Sequence, residues 1–298
     1  MNWAQIVINS LITASELGII AIGLTMTFGV LRFANFAHTE TAVIGAYLTF
    51  TLNVGLHWNL LAAMLVAATL VGLVGIAIDR GIFRFMRDAG DVAPMIASLG
   101  LAIVIRHGVQ AIFGPQILRY DYEVRPGLRV LGGFVTAPQV GVFIVAAVAM
   151  LAFHVLLQYS RIGKAMRATS SNRDLAKACG IDTEKVTLVV WFIGSGFAGL
   201  GGALVAWDTQ LDPYLGFVYV IPVFSVVLIG GVGSVYGAIA AALLVAFAQS
   251  FIIAFDLQSL ISGAPELRFP IAYKTAVIYG AVVLLLLLRP SGLARKEA

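Results

Sequence analysis

The stretch YSRIGKAMRATSSNRDLAKACGIDTEK, residues 159–185, is the one long strongly polar interval in a sequence that otherwise runs from one apolar segment to the next. Read outward from that interval, the chain is a polytopic membrane protein, and the polar island is a loop between crossings. The whole composition agrees. Of 298 residues 60% are hydrophobic and only 11% charged, with a mean hydropathy of +0.96, far outside the soluble globular range. The formal net charge is +4, but in a membrane chain the sidedness of Lys and Arg is more informative than their sum, and no nucleic-acid partner is implied. A single cysteine, Cys179, excludes an internal disulfide and a thiolate metal cluster and reads as a small buried residue. The first 30 residues lack the basic start of a cleaved signal peptide and read as a retained span.

Apolar segments fall near residues 10–31, 39–55, 58–78, 92–114, 138–158, 185–207, 217–231, 237–256 and 271–288. Most approach the roughly 20 residues needed to cross about 30 Å of hydrocarbon. The expectation is an all-α membrane protein of 8 or 9 transmembrane or half-spanning helices in one domain, residues 1–298. Segments 39–55 and 217–231 are short and flanked by polar or glycine-rich sequence, which suits broken or re-entrant pieces. Pro94 and Pro270 sit at segment starts, where a missing N–H costs nothing, and Pro290 follows the last segment. One side of the membrane receives Arg32, Arg80, Arg84, Arg87, six basic residues from Arg161 to Lys185, then Arg289, Arg295 and Lys296, making 13. The other receives Arg119, Arg125, Arg129 and Arg268, making 4. The positive-inside rule places the island and the C-terminus in the cytoplasm, and nine crossings then put the N-terminus outside.

No G-x-x-x-x-G-K-[ST] run is present, so the sequence has no phosphate cradle of its own. Any ATP-driven step would need another subunit. Paired carboxylates, metal-spaced histidines and a G-x-S-x-G nucleophile turn are also missing, which argues against an enzyme.

Four places could carry function. LRFANFAHTETAV, residues 31–43, sets Arg32, Asn35, His38, Thr39 and Glu40 between two apolar segments without a turn-forming Gly or Pro. Ionisable groups at membrane depth are costly and usually face a protein interior or an aqueous cavity. Two readings fit: a pathway or gate, or an interfacial cluster satisfied by water. LIGGVGSVYGAIAAALLVAF, residues 228–247, has a related layout, with a break from Gly230 through Gly231 and Gly233 to Gly237. Paired interruptions in two halves suit a midplane site built from discontinuous helices; G-x-x-x-G packing between Gly233 and Gly237 is the alternative. In the island, Ser171 and Asp174 form a capping-box-like start and Gly180 a stop for a helix of about two turns. Asp182 or Thr183 then caps the next span. So short a helix needs a partner surface, unless the island is a solvated loop that touches anionic lipid. Arg106 and His107, within IASLGLAIVIRHGVQAIFG, read either as snorkelling groups near the outer end or as substrate contacts.

Taken together, GLTMTFGVLRFANFAHTETAVIGAYL, PMIASLGLAIVIRHGVQAIFGP, RIGKAMRATSSNRDLAKACGIDTEKV, GFAGLGGAL and LIGGVGSVYGAIAAALL, in that order along nearly the whole chain, resemble the branched-chain amino acid (Liv-type) permeases of bacterial ABC importers. The resemblance implies an inner-membrane permease with a type II-like importer fold and an inverted pseudo-repeat. It also implies a second homologous permease as heterodimer partner, two cytoplasmic ATPase subunits that hold ATP and Mg, and a periplasmic substrate-binding protein. No cofactor or metal is implied in this chain. Residues 159–185 match the family's coupling segment, so that Arg161, Gly163, Lys164, Arg167, Arg173, Ala176 and Gly180 would serve the contact with the ATPase. Asn35, His38, Thr39, Glu40, Gly230, Gly231 and Gly233 are the candidates for path or gate. The family segment N-F-A-H-G-E stands here as Asn35 to Glu40 with Thr39 in the glycine place, a departure that questions the local geometry. Branched-chain or hydrophobic amino acids are the default substrates; urea, amides and organic acids also occur in such families. The alternatives are an ion-gradient carrier using His38, Glu40 and Asp256, and a passive channel; neither needs the coupling-like island.

Overall fold

The structure is a computed structural model that describes residues 2–87, 89–123, 126–130, 132–254 and 280. The expected last span at 271–288, Asp256, Pro270, Pro290, Arg125, Arg268, Lys274 and the basic C-terminal residues lie outside the described residues. Lipid offers no hydrogen-bond partners, so a spanning backbone must satisfy itself as helix, and the apolar segments do so. They form α1 (Trp3–Leu31), α2 (His38–Phe50), α3 (Leu60–Gly81), α4 (Val92–Phe113), α5 (Ala137–Tyr159), α8 (Thr183–Asp208), α9 (Leu215–Gly230) and α10 (Val235–Ala254). The polar island forms two further helices, α6 (Arg161–Ser171) and α7 (Arg173–Ala178).

Among the described residues, five helices are long and apolar enough to cross a membrane: α1, α3, α4, α5 and α8. As the sequence suggested, α2 and α9 are short; α2 ends in a π-helical turn, Thr51–Gly55. Helix α1 is longer than its apolar run because the Asn2 carboxamide accepts a hydrogen bond from the Gln5 N–H, 3.3 Å away, and starts the helix at Trp3. One short β element accompanies the helices. Strands β1 (Leu128–Val130) and β2 (Gly133–Val135) pair as an antiparallel hairpin in the loop between α4 and α5. That hairpin is tied to the start of α1, where Gln5 exchanges side-chain hydrogen bonds with the Phe134 backbone.

Helices α1 and α8 form the centre, and each has 67% of its apolar window buried, against 17% for α5. They run antiparallel. Gly194 of α8 lies against Gly23 and Thr27 of α1, and Gly201, two turns on, against Ile19 and Ile20. Contact between them needs small residues because lipid supplies no hydrophobic drive to push helices together, leaving close van der Waals packing as the source of stability. The run from Gly194 to Gly202 supplies them. The Gly199 backbone packs against Gly45 of α2, and Gly202 against the Ala42 carbonyl.

The packing is symmetric about this central pair. Helix α1 packs extensively on α10 and α8 packs extensively on α3; α2 packs on α3 and α9 on α10; α2 packs on α8 and α9 on α1. Helices α1–α2–α3 therefore correspond to α8–α9–α10, and since α1 and α8 point in opposite directions the repeat is inverted.

Candidate functional site

Helix α1 has 29 residues, about 43 Å at 1.5 Å each. Its successor α2 does not begin beside its end. Nε2 of His38, the first residue of α2, lies 3.1 Å from the Ile20 carbonyl, about 16 Å back along α1. Residues 32–37 thus turn back into the bundle, with Arg32 in the left-handed region at φ 62°. The Phe36 N–H donates to Ser98 Oγ of α4 at 3.0 Å, and the Asn35 carboxamide accepts from the Ala37 N–H at 3.1 Å. His38 fits because Gly23 leaves room; a Cβ there would lie 2.9 Å from Cε1 and Nε2 of the ring.

The second half repeats the device. Residues 209–214 lead from α8 into α9, and the Asp212 carboxylate accepts from the Tyr214 N–H at 2.8 Å while the Leu215 N–H donates to the Asp212 carbonyl at 3.0 Å. In the first half the His38 N–H donates to the Asn35 carbonyl in the same way. Each short helix thus begins three residues after an Asn or Asp that closes a turn on itself. This corrects the pairing expected from the sequence. The counterpart of residues 32–37 is 209–214, not the glycine break at 230–237.

That glycine break is the turn from α9 to α10. Gly231, at φ 92°, donates its N–H to the Leu228 carbonyl at 3.3 Å, and the Gly233 N–H donates to Thr25 Oγ1 of α1 at 3.1 Å. A Cβ on Gly29 would lie 3.1 Å from Gly233 Cα. Gly230 closes on Gly237 and Ala238 of its own hairpin. Small-residue packing is what this segment does in the bundle.

The two short helices meet at their starts. Asn35, His38, Thr39 and Glu40 are all buried, which removes the water-satisfied interfacial cluster as an account of them. The Glu40 carboxylate is paired by Arg106 of α4, whose Nε lies 3.1 Å from Oε1 and whose Nη2 binds the same oxygen. The snorkelling expected of Arg106 is therefore corrected: its head reaches sideways into the bundle. It also lies 4.7 Å from the Phe217 ring centroid on α9, a cation–π distance. A Cβ on Gly216 would meet Glu40 Oε2 at 2.6 Å and the Thr39 carbonyl at 2.8 Å. The close approach questioned by Thr39 is thus supplied from the opposite helix. His107 turns outward and pairs with Gln110 at 3.0 Å.

At the end of the bundle where α1 finishes, the polar island folds as two helices, not one. Ser160 caps α6 by accepting from Gly163 N–H at 2.9 Å, and Asn172, rather than Ser171, caps α7 by accepting from Leu175 N–H at 3.0 Å. Ser171 instead ends α6. Gly180 stops α7 with φ 82°, and Asp182 caps α8 through the Lys185 N–H at 3.1 Å. That N–H and the Lys185 ammonium hold the Asp182 carboxyl below its usual range. The cap is complete above the ordinary carboxylate pKa near 4 and is lost as pH falls through the lowered folded value.

The coupling candidates divide by face. Arg161, Lys164, Arg167 and Gly180 are exposed and Arg173 is half-buried, but Gly163 and Ala176 are buried, which corrects their reading as presented groups. Leu175, 62% exposed, and Lys177 are both exposed on α7, two residues apart and so on different sides of it. Cys179 is exposed, not buried. Arg173 pairs with Glu184 of α8 at 2.9 Å, Glu184 pairs with Arg87, and Arg87 Nη2 lies 2.8 Å from Asp79 of α3. Sequence spacing gives no sign of this chain of charges, because its three links join residues 8, 97 and 11 apart, none of them a helical i,i+3 or i,i+4 spacing.

The protein-family model described as "Branched-chain amino acid transport system / permease component" matches residues 6–288. The chain belongs to that family. The permease is 28% identical over 308 residues to the high-affinity branched-chain amino acid transport system permease protein LivH of Escherichia coli strain K12, covering 98% of this chain and 96% of the relative. It is 28% identical over 310 residues to BraD of Pseudomonas aeruginosa, covering 98% and 95%. A probable LivH of Methanocaldococcus jannaschii is 26% identical over 253 residues, covering 82% and 79%. Among solved structures, PsaBC from Streptococcus pneumoniae in complex with Fab aligns with a TM-score of 0.49 at 15% identity, covering 95% of this chain and 91% of that one. The permease is a multi-pass membrane protein and a component of a transport system.

Proposed function

We propose that this chain is the permease subunit of an ATP-driven importer of branched-chain or other hydrophobic amino acids. It would pair with a second, homologous permease, take its energy from two separate ATPase subunits carrying ATP and Mg, and receive substrate from an external binding protein. The observation that carries this reading is the α6–α7 unit. It is a pair of short basic helices with Leu175 and Lys177 exposed, held by ion pairs to α8 and, through Arg87, to α3. The described basic residues at this end, from Arg32 through Arg87 to Lys185, greatly outnumber Arg119 and Arg129 at the other, and the positive-inside rule then makes it the cytoplasmic end.

Nucleotide-driven closure of the ATPases would push α7, and the charge chain would pass the movement to α8 and α3 as a rigid-body rotation of one half-repeat against the other. The short helices α2 and α9, which meet at Glu40 and Gly216, lie where the halves would shear. An ion-gradient carrier is less well supported, since it has no use for the α6–α7 unit and its ion pairs to α8.

Leu175→Glu with Lys177→Glu is expected to abolish co-purification of the ATPases, with at least a tenfold loss, while the permease keeps its elution profile in mild detergent. Retained ATPases would place docking elsewhere. The whole reading is tested by reconstituting the complex encoded with this chain. ATPase activity stimulated by leucine-loaded binding protein supports it, and leucine uptake by this chain alone under an ion gradient would overturn it.

A further inference from the structure

The outer half of α4 carries a polar face that hydrocarbon would not accommodate. Arg106 lies seven residues before the end of α4 at Phe113, about 10 Å inside the helix end. Cα–Cβ bonds tilt toward a helix N-terminus, so its side chain leaves the backbone in the direction away from that nearer end. His107 and Gln110 lie within one turn of it on adjoining faces, and His107 is exposed. Arg106 keeps 14% of its side chain exposed, and Phe217 beneath it is 57% exposed. Charged and polar groups at this depth normally face protein or water.

Within the site the charges are used unevenly. Nε and Nη2 of Arg106 both go to Glu40 Oε1, whereas Glu40 Oε2, fully buried, has no hydrogen-bond partner among the described residues, and Arg106 Nη1 makes no hydrogen bond among them. Arg106, which keeps some exposure, thus retains an unused donor, while the unpartnered Oε2 is sealed behind Gly216.

We propose that Arg106, positioned by Glu40 and flanked by Phe217, His107 and Gln110, is the polar station on the translocation path that takes the α-carboxylate of a passing amino acid. This rests on the importer reading above and assigns the substrate contact within it. A guanidinium matches a carboxylate in a planar fork. Because Glu40 holds Nε and Nη2 and stays in place, the incoming carboxylate meets only the remaining Nη1 edge of a partly neutralised cation. Such a shared guanidinium gives recognition without trapping, which a path requires. Phe217 and the apolar residues beside it offer a surface for a hydrophobic side chain.

The test uses the complete importer in proteoliposomes with Cys179→Ser as background. His107→Cys is expected to react with a charged, membrane-impermeant methanethiosulfonate at least about tenfold faster than Val148→Cys, an exposed mid-helix position on α5. Equal rates would place the α4 face in lipid and overturn the proposal. Arg106→Gln is expected to lower radiolabelled leucine uptake at least tenfold while leucine-loaded binding protein still stimulates ATPase activity, and Arg106→Lys is expected to recover part of the uptake. Unchanged uptake, or parallel loss of uptake and stimulation in an assembled complex, would overturn it. If Arg106→Gln does not assemble, the two labelling rates decide. Failure of the importer reading has a separate signature, wild-type ATPase activity indifferent to the loaded binding protein, and it would take this proposal with it.

Discussion

Gly45→Leu is expected to leave no monodisperse permease after detergent extraction. Gly45 lies where α2 crosses α8, and a Cβ there would penetrate the Gly199 backbone at its Cα, carbonyl carbon and oxygen. Main-chain atoms of a central helix cannot swing aside as a side-chain tip can. The helices would have to separate, and with them the Gly202–Ala42 contact one turn on. Overpacking of a tight core costs about 1–3 kcal/mol and more where backbone must move; here the loss should be at least about 3 kcal/mol. Size-exclusion chromatography and thermal unfolding of the purified chain give the measurement. Gly100→Ala is the control, because nothing lies within 4 Å of a Cβ at that position in α4, and its unfolding temperature should match or slightly exceed wild type, since alanine is the better helix former. A Gly45→Leu protein that elutes and melts like wild type would mean that α2 and α8 do not touch.

Arg87→Met should be the most damaging single change in the charge chain. Asp79 has 1% of its side chain exposed and is paired by Arg87; removing the arginine leaves a buried carboxylate without its partner, a loss of about 3–5 kcal/mol. Asp79→Asn in the Arg87→Met background should recover a large part of it, because the stranded charge is then gone. Arg173→Ala, by contrast, breaks a pair whose members are 34% and 57% exposed, worth at most about 1 kcal/mol. Thermal unfolding of the four proteins distinguishes these cases, and an Arg87→Met protein no less stable than Arg173→Ala would remove Asp79 from the chain. In the reconstituted importer, the double variant should assemble yet transport poorly, since α7 would no longer be tied to α3.

Hydropathy, Lys and Arg placement and the order of motifs were enough to read the class of protein, its eight described apolar helices, the polar island and the two short segments. Each of these is a local property, because a span needs only length and apolarity and a topology signal only local charge. Caps were legible to within a residue or two: Gly180 and Asp182 act as expected, while Asn172 took the role assigned to Ser171. The pair Asn35 and Asp212, each three residues before a short helix, is the sequence signal of the repeat, and it is less conspicuous than the glycines.

The partners of the charged side chains were not legible. Arg106 and Glu40 are 66 residues apart, and Arg87 and Glu184 are 97; nothing in periodicity or spacing links them. Only the tertiary structure decides that residues 32–37 turn back beside Ile20, that Gly216 makes room for Thr39 and Glu40, and that Ala176 faces inward while Leu175 faces out. The sequence by itself determined which segments enter the membrane, since transfer into hydrocarbon is a sum over each segment's own side chains. How deep each segment begins and which charge meets which were decided by packing, because close helix approach and ion pairing depend on neighbours that the chain brings together only when folded.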